Sequence, residues 1–143
     1  MMQAFEPLHP NLRISALSVC SVGSITRGLA YVGQQSTGGL TTFVDAVVPL
    51  PVWAIIWMLS GLAILAGIWH RVIARWALSF AASLWAVWGL SFLWAAISGD
   101  SARGWVTAST MFTLAGVMVI IAALADSVGP PEDPVIPPRG DDV

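Results

Sequence analysis

Charged side chains are scarce in this 143-residue chain: six basic and eight acidic groups leave a formal net charge of -2. So few cations cannot build a polybasic face, which excludes a nucleic-acid-binding surface of the electrostatic kind. Cysteine is limited to Cys20, which excludes an internal disulfide and a cysteine-based zinc cluster. His9 and His70 stand alone, with no His-Glu-x-x-His spacing and no paired-aspartate motif, and Cys20 has no base beside it. Nothing here has the residue types of a catalytic, cofactor-binding or metal-binding centre, so neither an enzyme activity nor a small-molecule substrate is expected.

What is abundant is apolar surface. Hydrophobic residues make up 57% of the chain, and its mean hydropathy is +0.79. A water-soluble globule of this size cannot bury that much oily surface, so the expected solvent is lipid. The segment Leu50 to Trp69 carries no charge, and its stretch from Val52 makes about 27 Å of helix, close to the roughly 30 Å of a bilayer's hydrocarbon core. Pro51 suits the first helical turn, where no amide donor is needed. Ile73 to Ile97 has Arg75 as its sole charge and reaches about 37 Å, so it must tilt or extend beyond the lipid. Trp105 to Ala125 is uncharged, reaches about 31 Å, and is followed by Asp126 and Gly129 as exit signals.

The segment Ile14 to Val32 is more polar. Ser15, Ser18, Ser21, Ser24 and Arg27 recur every third residue, an oblique ridge that suits packing against other helices better than floating at an interface. An arginine inside a span is costly, but Arg27 lies past the centre, where its long side chain can reach headgroups. The tendency of basic residues to stay in the cytoplasm offers a separate test. With four spans, Arg13, the Arg71/Arg75 turn and Arg139 share one side and only Arg103 faces out, whereas three spans give an uninformative split. A competing reading takes 14–25 as a signal-peptide core, with Gly28-Leu29-Ala30 as the cleavage context.

The expected fold is therefore all-α, a polytopic membrane protein of four transmembrane helices, the first of them open to the signal-peptide alternative. Residues 1–13 form a cytoplasmic tail and 14–32 the first span. Residues 33–49 are a polar, Gly-rich connector with an interfacial apolar stretch, Phe43 to Val48. Residues 50–128 hold three spans at 50–69, 73–97 and 105–125, and 129–143 an acidic, Pro-rich, extended tail. The second and third spans should pair as an antiparallel hairpin through the Arg71/Arg75 turn. Both termini are expected on the cytoplasmic side of the inner membrane, with Arg13, Arg71 and Arg75 as topology determinants.

Tryptophan is the most distinctive residue. Trp53, Trp57, Trp94 and Trp105 fall toward one expected interface, and Trp69 and Trp76 flank the basic turn at the other. An indole places its rings in lipid and its N–H among headgroups, so all six read as interface anchors. Trp85 and Trp88 sit mid-span on neighbouring positions of one face, suited to packing or lipid contact. Pairs of small residues at close-approach spacing, Ala63 with Gly67, Ser79 with Ser83, Ala82 with Ala86 and Ser109 with Thr113, are candidates for helix packing or self-association. The hydroxyls of Thr107, Thr110 and Thr113 can face water in an oligomeric pore, or simply bond their own helix. Arg27 and Asp45 fall at the outer ends of their segments, where they can form an ion pair. Beyond the lipid bilayer, the expected partners are further copies of the chain or another membrane protein.

From Arg27-Gly28-Leu29-Ala30-Tyr31, through the Gly-rich connector, to Val44-Asp45-Ala46-Val47-Val48-Pro49 and Val52-Trp53-Ala54, the chain resembles small multi-span membrane proteins of actinobacterial tailed phages. Some of these are described as holins. The resemblance covers about half of the chain and includes no catalytic motif. It implies residence in the host inner membrane and a holin-like role, in which self-associating helices open lesions without chemistry. The chain departs from that pattern in its acidic rather than basic tail and in the uncharged Met1-Met2 start. The alternative role is that of an accessory or scaffold subunit docking onto another membrane protein.

Overall fold

The structure, a computed structural model, describes residues 9–32 and 48–126. Asp45, Arg139, the acidic tail and most of the Gly-rich connector lie outside the described residues, and with them the expected Arg27–Asp45 pair. Among the described residues there are four helices and no strand: α1 (Pro10–Tyr31), α2 (Leu50–Ala66), α3 (Arg71–Ile97) and α4 (Gly104–Asp126). Every segment that hydropathy marks as a span is helical, and so is the polar first segment. Two of the four, α3 and α4, are long and apolar enough to cross a membrane, while α2 is apolar but has only 17 residues.

The shorter α2 corrects the expectation of a helix reaching Trp69, and the reason is local. Prolines at 49 and 51 set its start, where the Pro49 carbonyl accepts from the Val52 amide at 2.9 Å. Its end is set by Gly67, which lies against the start of α3: a Cβ built there would stand 2.6 Å from the Ala74 Cα. With no side chain at 67 the chain can turn, and Ile68 and Trp69 wind down as their backbone N–H groups donate to carbonyls three residues back. His70, in extended conformation, then opens α3. At the far end of α3, Gly99 takes a positive φ of 84° and lets the chain reverse into α4.

The helices run alternately up and down. The tightest pairings are α1 with α2 and α3 with α4, and these two pairs meet chiefly where α2 crosses α3. The expected α2–α3 hairpin is thus present, but it is the seam between two closer pairs. Between α1 and α2 the backbones touch at glycine: a Cβ on Gly28 would lie 2.9 Å from the Ala54 carbonyl oxygen, and one on Gly61 would lie 2.9 Å from that of Ser21. The Ser21 hydroxyl donates to the Gly61 carbonyl at 2.8 Å, fixing the register. The ridge of serines in α1 is split by this packing, since Ser21 and Ser24 are buried while Ser15 is exposed. On α4 the inward stripe is Ala108, Met111, Ala115, Met118 and Ala122, a helical repeat of small and pliable side chains facing α3.

One end of the bundle gathers Arg13, Arg71 and Arg75 where α1 begins, α2 ends and α3 begins. There Arg13 donates from Nη2 to the Gly67 carbonyl at 2.8 Å. A cation at that position satisfies an orphan carbonyl of α2 and complements the negative end of its dipole.

Candidate functional site

The seam between the two helix pairs is filled with rings. Trp57 of α2 meets Trp85 of α3 edge to face at 4.9 Å between centroids. One turn along, Trp53 meets Trp88 edge to face at 5.6 Å, and Tyr31 from the end of α1 stacks on Trp88, also at 5.6 Å. Phe92 extends the row at 6.4 Å from Trp88. Offset and edge-to-face contacts of this kind are the favourable geometries for aromatic quadrupoles. The antiparallel register explains how they assemble, because 53 and 57 descend as 85 and 88 ascend.

Arg27 borders this row. Its guanidinium carbon lies 5.1 Å from the Tyr31 ring centroid and 5.4 Å from that of Trp88, within cation–π reach of both. The side chain is half-buried, and its Nε has no hydrogen-bond partner among the described residues. Nor do the enclosed indole nitrogens of Trp57, Trp85 and Trp88, or the hydroxyls of Ser24 and Ser91. Ser24 is fully buried. It lies between the Ser21–Gly61 and Gly28–Met58 contacts, and so at the height of Trp57. Buried donors without acceptors are unusual, since each normally forfeits its desolvation free energy. One more such donor, Arg13 Nε, lies at the opposite end of the bundle, and of the unpartnered indoles it is Trp88 that sits beside the Arg27 cation.

The residues singled out from sequence divide sharply. Trp69, Trp76, Trp94 and Trp105 are exposed, the first two at the Arg71/Arg75 end and the last two at the other. Trp76 and Trp94 are 18 residues apart on one helix, about 27 Å. Trp57 is a correction: grouped with the anchors by its height along the chain, it is 0% exposed and belongs to the core, and Trp53 is half-buried against Trp88. Among the packing candidates, Gly67 and Ala82 are buried and Ala63 and Ala86 half-buried. Ser79, Ser83, Ser109 and Thr113 instead face outward. The Ser83 hydroxyl donates to the Ser79 carbonyl, and those of Ser109, Thr110 and Thr113 donate to carbonyls three or four residues back on α4. Gly28 and Gly61, where α1 and α2 come closest, were not among the expected contacts. Their signal in the sequence is a small residue facing a small residue across two helices, which is visible only once the pairing is known.

No protein family, curated protein or solved structure matches this chain. Among the described residues, no three His, Cys, Asp or Glu side chains converge as a metal site would require.

Proposed function

We propose that this chain is an integral membrane protein of four spans that acts through helix association and performs no chemistry of its own. The observation that carries the reading is an inverted surface. Val19, Val22, Leu59, Leu62, Phe80, Leu90, Val119 and Ile120 point outward along all four helices, while the buried polar side chains among the described residues are Ser21, Ser24, Ser60 and Ser91. An exterior of this kind suits hydrocarbon and would drive aggregation in water. The tryptophans exposed toward either end add the pattern of two interfacial belts. Arg13, Arg71 and Arg75 at one end favour that end as the cytoplasmic one.

In its most specific form, the proposal is a holin-like oligomer that permeabilises the inner membrane. The outward stripe Ser109, Thr113 and Gly116 on α4 supports it, because a Cβ on Gly116 would meet nothing within 4 Å and the face is free for a second copy. Timed expression in a bacterial host should then collapse the membrane potential, read with a potential-sensitive dye; harmless high-level expression refutes this form. A docking role in a larger membrane complex is favoured by a different observation. The outward hydroxyls of Ser109, Thr110 and Thr113 are satisfied by their own helix, so they suit a dry helix contact better than a water-lined pore. Co-purification with a membrane partner in mild detergent supports that role, and a solitary monodisperse monomer opposes it. The membrane reading beneath both fails if the purified chain stays folded in buffer without detergent.

A further inference from the structure

We infer that Arg27 and the indole N–H of Trp88 form a binding site for an anionic phosphate group, drawn from the lipid headgroups at the α1 C-terminal end of the bundle. The inference rests on the membrane reading and adds a ligand to it. Two of the unpartnered atoms in this locality, Arg27 Nε and Trp88 Nε1, can only donate hydrogen bonds. A site built of donors around a cation calls for an acceptor that also carries negative charge. Of the described acidic side chains, Asp100 is exposed in the turn between α3 and α4 and does not reach Arg27. Trp88 is 1% exposed and the Arg27 guanidinium carbon lies over its ring, 5.4 Å from the centroid, so the cation and the unpartnered indole belong to one locality. Ser24, one turn before Arg27, and Ser91, one turn beyond Trp88, are buried hydroxyls that likewise have no partner among the described residues.

Depth selects phosphate over other anions. Arg27 lies four residues before the end of α1 at Tyr31, about 6 Å below it. This is the layer in which a long cationic side chain meets lipid phosphates. Phosphate also offers several oxygens around one centre, matching a set of donors that comes from two helices, whereas a single carboxylate presents two in a plane.

The test uses the full chain in a maltoside detergent, which contains no phosphate. Short-chain phosphatidylglycerol is titrated in one arm and inorganic phosphate in the other, with tryptophan fluorescence as the readout. A saturable change is expected, weakened at least tenfold in Arg27→Gln and in Trp88→Phe, and weakened less in Arg27→Lys, which keeps the charge. Saturation by phosphatidylglycerol alone assigns the phosphate to lipid. Equal saturation by inorganic phosphate keeps the anion site but overturns its lipid source. An unchanged titration in Arg27→Gln, or no saturation in either arm by a folded, monodisperse protein, overturns the site. So does an Asp45→Asn variant that melts as early as Arg27→Gln, since the counter-charge would then be internal. A chain that requires detergent yet binds neither probe sinks this inference while leaving the membrane reading intact.

Discussion

The two closely paired halves of the bundle reach contact by different chemistry. Between α1 and α2 the backbones meet at Gly28 and Gly61, and two polar side chains of α1 bond across to the α2 side, Ser21 to Gly61 and Arg13 to Gly67. Between α3 and α4 the contact is apolar: a Cβ on Gly104 would stand 2.6 Å from the Phe92 carbonyl oxygen, Gly89 lies against the Phe112 ring, and α4 turns Ala108, Met111, Ala115, Met118 and Ala122 inward. The first pair is mutually dependent: α1 carries arginines and serines that an apolar solvent tolerates poorly unless α2 is present. The second joins two helices that are each long and apolar enough to span alone. Polar complementarity dictates one partnership, and shape suffices for the other.

The largest expected effect tests the seam at which the pairs meet. Trp57→Ala removes a fully buried ring that lies against Trp85. If the unfolded helices remain in lipid, little transfer free energy is lost, and the cavity alone should destabilise the bundle by about 3 kcal/mol. Thermal unfolding in detergent micelles measures it, and a loss below about 1 kcal/mol would mean the seam closes around the gap. Next, Gly61→Val places atoms where the Ser21 carbonyl and the Ile25 side chain already stand. Overpacking should cost about 1–3 kcal/mol and push α1 from α2, which a crosslink between cysteines placed on the two helices would report as lost efficiency. Gly116→Val, into open space, is the matching control and should leave the fold intact.

The smallest effect sharpens the contrast between inward and outward hydroxyls. Ser21→Ala removes an interhelical hydrogen bond and should cost about 0.6 kcal/mol, the usual size of such bonds in membrane bundles. Ser109→Ala removes only a bond to the same helix, so stability should stay within about 0.3 kcal/mol of the parent. Equal losses at the two positions would show that α4 also makes a contact through Ser109, as an oligomer requires.

How much of this was legible in the sequence follows from which coordinate of a helix hydropathy encodes. Uncharged runs mark where a helix lies and how deep each residue sits, so the helical segments and the heights of the tryptophans could be read directly. Rotation about the helix axis is another matter. α2 is apolar on every side, so nothing in its sequence states which face turns inward. That is why Trp57 read as an anchor by height and proved to be core by direction. Arg27 stood out in the sequence as a charge in an otherwise uncharged segment, and Tyr31, four residues on, shares its helix face; Trp88 comes from α3, which only the folded arrangement brings beside it. Gly67 was recognised for its spacing with Ala63, yet its role is to end α2 and admit Ala74.

The bond from Arg13 to the Gly67 carbonyl spans 54 positions of chain. A ribosome therefore makes the cation long before it makes the oxygen that will hold it. During synthesis the end of α1 can meet the start of α2 at Gly28 and Ala54 first, whereas Arg13, made earlier, gains its carbonyl only when Gly67 arrives, so within α1 the earliest residues are tied down last. Anything that halts the growing chain between these positions would leave the first helix without the carbonyl that locks it in place.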